Sequence, residues 1–291
     1  MSTTSDSVQS AEIGKGVVFR AHPSDLRGHA DHDWLRSYHT FSFAGYFDPK
    51  YQSYGALRVI NEDRVSRGFG FDTHPHREFE IFSYVVSGTL EHNDSLKNTE
   101  ILKRGDVQMT SAGTGIRHSE HNRRGTQDVH FLQIWAVPNQ KGLTPKYYTR
   151  HFSDEEKTDK LVKIVAPLDD GDVVDEREGS GPAPVHGNIT TFASLLSPSN
   201  TLTHTFLPTT KRALVHNIMT TGYREPGQSE PKGATKVSVG GAGSEAVLVE
   251  GDSVFLEVQR GTEKDASART VRLAHAGGEG KAEFLLFEMS D

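Results

Sequence analysis

The sequence predicts an all-β protein built of two similar barrel- or sandwich-like domains in tandem. Three observations carry this. Short runs of alternating apolar and polar residues recur at regular spacing, separated by turn signals. No stretch sustains a long 3.6-residue period, and many short strands argue for a sandwich or barrel. Two short internal matches recur in the same order, which suggests one plan used twice.

Taken in order, the first 15 residues are polar and read as a disordered tail. Residues 16–152 form the first domain. Ala56–Ile60, Ile81–Val86, Asp106–Met109 and His130–Val137 read as strands there. Ser87-Gly88, Asn93-Asp94, Arg104-Gly105 and Ser111–Gly115 mark turns between them. Residues 153–187 form a connecting segment, with a short helix predicted near Ser153–Leu161 and a solvated acidic Gly/Pro-rich loop over 169–186. Residues 188–291 form the second domain, with strands at Thr203–Phe206, Ala213–His216, Glu245–Val249, Ser253–Leu256 and Glu283–Phe287. The repeat is visible where Ile101-Leu-Lys-Arg-Gly-Asp-Val107 resembles Val247-Leu-Val-Glu-Gly-Asp-Ser253. Upstream, Ser83-Tyr-Val-Val-Ser-Gly88 pairs with Asn217-Ile-Met-Thr-Thr-Gly222.

Length and composition bound the function. The 291 residues suit one large domain or two ordinary ones. With 39 acidic against 32 basic residues and a formal charge of −7, direct binding to nucleic acid is not expected. No apolar run approaches the roughly 18 residues of a membrane span, and the N-terminus does not look like a secretory signal. A cytoplasmic or nuclear location is therefore expected. The chain has 0 cysteines, which excludes disulfides, thiolate nucleophiles and thiolate-bound metals. Its 15 histidines are concentrated in the first half, so any metal chemistry must use imidazole and carboxylate.

One constellation carries that chemistry. His74-Pro75-His76 closes a strand-like segment, and residues two apart on a strand share a face. His118-Ser119-Glu120 repeats the two-residue spacing with an imidazole and a carboxylate. Three nitrogens and one carboxylate oxygen make a coherent set for one divalent metal, with positions left open for other ligands. These donors are compatible with iron, manganese, cobalt, nickel or copper.

The whole stretch resembles a known family. Thr73-His-Pro-His-Arg-Glu-Phe-Glu-Ile-Phe-Ser-Tyr-Val-Val-Ser-Gly88, Leu90–Ser95 and Gly105–Glu120 are similar to the pirins. Arg27–His32, Ser37–Phe43, Leu57–Asp63, Phe131–Trp135 and Pro138-Asn139 agree, and Ala282–Glu288 is a looser echo. The resemblance implies a bicupin, two tandem jelly-roll-like cupin barrels, with iron(II) in the first. Carried over by motif position, the ligands are His74, His76, His118 and Glu120. It also implies an aromatic and a glutamine in the pocket, Phe71 and Gln133. Some relatives open the central ring of quercetin-type flavonols with O2 and release carbon monoxide. That implies a small phenolic substrate, with Glu120 as the base that takes its enolic proton. Other pirins are non-enzymatic, iron-dependent redox regulators of transcription, which would imply a protein partner.

The repeat offers a test of whether the second domain also binds metal. Anchored on the matching glycines, His74 and His76 fall opposite Pro208 and Thr210, while His118 and Glu120 fall opposite Lys264 and Ala266. One metal per chain is expected, in the first barrel. His22, His29, His32 and His39 are expected to pack between domains or reach the pocket rim. His92 and His121 are expected beside the site or on the surface.

Overall fold

The computed structural model describes residues 16–123, 126–223, 227–241 and 243–290, so the predicted tail lies outside the described residues. Within them the strands are β1 (Val17–His22), β2 (Gly28–Asp31), β3 (Leu35–His39), β4 (Leu57–Val65), β5 (Gly70–His76), β6 (Glu80–Ser87), β7 (Thr89–Asp94), β8 (Thr99–Lys103), β9 (Asp106–Ser111), β10 (Ile116–His121), β11 (Val129–Ala136) and β12 (Lys146–His151). They continue with β13 (Val162–Pro167), β14 (Ala183–Val185), β15 (Ile189–Leu196), β16 (Thr201–Thr205), β17 (Thr210–Asn217), β18 (Lys236–Gly241), β19 (Ser244–Val249), β20 (Ser253–Val258), β21 (Thr270–Gly277) and β22 (Ala282–Ser290). The predicted helix is the single turn α1 (Asp154–Lys157). Ser153 and Glu156 close it with a reciprocal capping box. No helix among the described residues is long and apolar enough to cross a membrane.

Each barrel is a seven-stranded sheet facing a four-stranded one. The first pairs β12-β9-β6-β11-β4-β3-β2 with β5-β10-β7-β8; the second pairs β1-β20-β17-β22-β15-β13-β14 with β16-β21-β18-β19. The runs β9-β6-β11-β4 and β20-β17-β22-β15 show that one topology is used twice. The repeated Gly-Asp turn is reproduced in detail. Gly105 and Gly251 both have positive φ, +83° and +87°. The following aspartate caps the turn in each, accepting from Lys103 N at 2.8 Å and from Val249 N at 3.0 Å. Glycine is suited there because that backbone region strains other residues.

The strands at the borders of the sequence-derived division sit elsewhere than their position suggests. β1, within 16–152, pairs antiparallel with β20 of the second barrel. Its Val17 joins that barrel's apolar interior, and burying that side chain gives the short strand its partner. β13 and β14, within the connecting segment, also belong to the second sheet. The acidic loop before β14 is tied down by cations. Lys163 pairs with Asp170 and Asp172, and Lys146 pairs with Asp175.

The largest apolar cluster lies between the two seven-stranded sheets. It joins Ile60, Phe82, Met109 and Ile134 of the first to Leu214, Phe255, Leu285 and Phe287 of the second. At its margin sits a buried charge. Glu62 Oε2 accepts from Arg27 at 3.1 Å and from His216 Nε2 at 3.0 Å; its Oε1 accepts from His130 Nε2 at 3.0 Å and from Met219 N at 2.7 Å. Burial pushes the carboxyl up, but the bonds from His130 and His216 prevail and hold it well below the usual range. Burial in turn holds both histidines below their usual value, so they donate as neutral rings.

Breaking this node leaves a buried charge without its partner. Arg27→Met is expected to destabilise the protein by about 3–5 kcal/mol in urea unfolding. A second expectation concerns acid. Burial lowers His22 to about 3 and His39 to about 4, while their unfolded counterparts titrate near 6.5. Their contribution is complete above pH 6.5 and is lost as the pH falls toward 3–4, because only the unfolded chain takes up the protons. The urea midpoint should therefore fall progressively between pH 7 and pH 4. Burial raises Asp63 to about 7, which acts in the opposite sense, so the fall should steepen in Asp63→Asn; a profile still flat in that variant would show that these rings are not buried neutral.

Candidate metal centre

The site is built where β5 meets β10 in the four-stranded sheet of the first barrel. His118 and His74 are direct cross-strand partners. The ladder then slips, so that Glu120 stands opposite Phe71 rather than Asp72. This bulge turns the three-residue spacing of Phe71 and His74 into a shared orientation, and both line one cavity. The bulge also supplies the Asp72 carbonyl, which accepts from His74 Nδ1 at 2.7 Å. That bond fixes the tautomer and leaves the Nε2 lone pair free to face inward.

Three imidazoles converge there. Ring centroids are 4.7 Å apart for His74–His76, 4.6 Å for His74–His118 and 4.7 Å for His76–His118. His74 Nε2 and His118 Nε2 approach to 3.1 Å, and one nitrogen from each of the three lies within 4.8 Å of the others. Burial, then the neighbouring imidazoles, lowers both His76 and His118 to about 3. Neutral rings with lone pairs directed at one point fit a divalent ion of borderline softness.

Glu120 lies deeper. It groups with His118 and His92 within 4.8 Å, so His118 is common to both triads. The carboxylate is 1% exposed and held by amides. Gln133 Nε2 donates to Oε2 at 3.0 Å, and Gln108 Nε2 donates to Oε1. His92 is buried; its Nε2 meets Asp94 at 3.2 Å and its ring stacks on Tyr147 at 4.6 Å. Gln108 and Tyr147 were not singled out from sequence. The available signal was a glutamine alternating inward between Val107 and Met109, which face the other way into the apolar cluster between the sheets.

A cavity of about 240 Å³ opens beside His74 and His76. Both predicted pocket residues, Phe71 and Gln133, line it. Phe71 packs edge-on against Trp34 at 5.4 Å, and Trp135 stands edge-on to His76 at 4.8 Å. Of the N-terminal histidines, His32 and His39 reach the cavity, whereas His22 is buried against Tyr51 and Phe255.

The second barrel is filled differently. From the Gly105/Gly251 turn, Gln108 corresponds to Val254, and the ladders carry the correspondence across each sheet. The polar row Gln108–Ser83–Gln133 becomes Val254–Val215–Leu286. By the same register Glu120 corresponds to Leu273, His118 to Val271 and His74 to His204. This corrects the constant-offset alignment with Pro208, Thr210, Lys264 and Ala266, because the loops before these strands differ in length. His204 is bonded to Glu288 at 2.9 Å, and the interior around it is one apolar cluster.

The sequence and fold both have known relatives. The family model described as Pirin matches residues 8–136. The crystal structure of YhhW from Escherichia coli is 32% identical and superposes with a TM-score of 0.72, over 94% of this chain and 97% of that one. The chain belongs to the pirin family. Bacterial pirin YhhW in complex with nickel(II) is similarly close, at 31% identity, a TM-score of 0.72 and coverage of 94% and 99%. The Escherichia coli K12 protein named quercetin 2,3-dioxygenase is 54% identical over 126 residues, which is 43% of this chain and 54% of that protein. The chain thus matches about half the length of this curated pirin relative. A pirin-like protein of Caulobacter vibrioides is 39% identical over 59% of this chain and 75% of its own. The two-barrel pirin architecture is a bicupin, as the sequence implied.

Calorimetric titration of this pirin with cobalt(II) or nickel(II) tests the centre. His76→Ala and His118→Ala should each abolish stoichiometric binding. Gln133→Leu, which frees a carboxylate oxygen from its amide, should weaken binding by roughly 10–100-fold.

Proposed function

We propose that this chain is a metal-dependent dioxygenase that opens the ring of a flavonol or related enolisable phenol with O2. The ion, iron(II) by the family resemblance, is held by His74, His76, His118 and Glu120. The observation that carries the reading is the convergence of the His74, His76 and His118 imidazoles, with His118 also beside the buried, amide-held Glu120, where His74 and His76 line one small cavity. The naming of relatives as quercetin 2,3-dioxygenase and the nickel(II) complex of a pirin support it.

A bound divalent ion supplies Lewis acidity toward an enolic oxygen and electron transfer toward dioxygen. The protein's own part is positional. Phe71 and Trp135 give the cavity apolar faces for a planar ring and limit the entry of water. Glu120 accepts the proton of the enolic hydroxyl, leaving an electron-rich enolate. Gln133 and Gln108 hold that carboxylate in register, so it need not reorganise when the proton arrives. Gln133 is itself oriented by Trp135, whose Nε1–H donates to its Oε1 at 3.2 Å.

Oxygen uptake on adding quercetin to iron-loaded protein, prepared anaerobically with its metal content measured, tests the reading. Stoichiometric metal with uptake is expected in the parent protein. Glu120→Gln should reduce the rate by at least about 10²-fold while retaining part of the metal. Full metal without uptake, across iron, nickel, cobalt and manganese, would sink the dioxygenase reading.

A further inference from the structure

Across the cavity from His74 and His76 stands a polar wall that the reading above does not use. Asn61 and Asp63 project from β4, and Ser37 and His39 from β3; all four are buried and line the cavity. Ser37 Oγ donates to Asp63 Oδ1. His39 Nδ1 meets Asn61 Oδ1 at 2.9 Å and Ser37 Oγ at 3.3 Å. Among the described residues, Asp63 makes no ion pair, and Ser37 is its side-chain partner.

A buried carboxyl without a cation is costly, and such groups cluster at functional sites. Here burial raises Asp63 to about 7 against the opposing Ser37 bond, with the charge of Glu120 adding to the rise. A carboxyl in that range can donate or accept a hydrogen bond. It is also rigidly mounted. The alternate residues of β4 are gripped from behind, Glu62 by His216 and Arg64 by the Met219 carbonyl at 2.9 Å. Polar groups fixed in this way on a strand, facing a cavity, are suited to reading a substrate's own polar groups.

We propose that Asp63, steadied by Ser37, binds a ring hydroxyl of the substrate on the wall opposite the histidines, and so sets a preference for polyhydroxylated over plain flavonols. The identity of the ligand rests on the dioxygenase reading; the binding wall itself does not.

The test compares quercetin with 3-hydroxyflavone, which keeps the enolic hydroxyl but lacks those on the rings. Binding to the full-length protein is read by quenching of tryptophan fluorescence, with melting temperature and metal content measured alongside. The parent protein should prefer quercetin by roughly tenfold or more, since a site built to bond a hydroxyl rejects a ligand lacking it. Asp63→Ala should bring the two affinities within about threefold of each other, with metal content unchanged. Asp63→Asn, whose amide can still donate, should keep most of the preference, and Ser37→Ala should fall between; these two decide the matter if Asp63→Ala fails to fold. No preference in the parent protein, or a preference that survives loss of Asp63, overturns the proposal. An Asp63-dependent preference without oxygen uptake would leave the wall standing and remove the dioxygenase reading.

Discussion

The structure turns on a carboxylate that no solvent reaches. Glu62 projects from one face of β4 into the seam between the barrels, where Arg27, His130, His216 and the Met219 amide satisfy it together. An ion pair in that position is weak as a source of net stability, because desolvation offsets much of the attraction. Its effect is to fix register. A one-residue slip of β4 would bury the charge without partners and turn Asn61 and Asp63 out of the cavity. The same alternation that seats Glu62 against the second barrel thereby aims the pocket wall in the first.

Around that seam the two barrels divide their labour by what fills them. The second has a continuous apolar interior, including Val215, Val254, Leu273 and Leu286. The first gives up that continuity. Its interior apolar residues form two smaller clusters, one around Phe131 and one around Ile116. Glu120, Gln108, Gln133 and the histidines occupy positions whose counterparts in the second barrel are mainly apolar. The apolar packing between the seven-stranded sheets offsets what the first interior forgoes, since burial there scales with the apolar area removed from water.

Much of this was legible in the sequence, for reasons that can be named. The strands carrying Ile81–Val86 and His130–Val137 announce themselves by β-branched and aromatic runs bounded by turns. The His-x-His and His-x-Glu spacings reveal a shared face, because the strand period is two. Phe71 was a different case. Its three-residue distance from His74 conflicts with that period, and only the bulge in β5 resolves it. Gln108, Tyr147 and Asp63 were illegible because their roles depend on cross-strand neighbours far away in sequence. The equivalence of His74 with His204 was missed because fixed offsets cannot follow loops of unequal length, whereas ladder register can.

The first strand has a consequence for how the chain assembles. β1 leaves the start of the chain to complete the edge of the last barrel, and Ser24 N donates to Asp252 Oδ1 across 228 residues. As the polypeptide emerges during synthesis, β1 appears long before its partner β20. Until then its edge is open to any other strand nearby. Closing so long a loop makes this pairing a slow, late event. The second barrel is thus sealed by a strand that precedes the first, and a cut at residue 152 would part β1 from the sheet it completes.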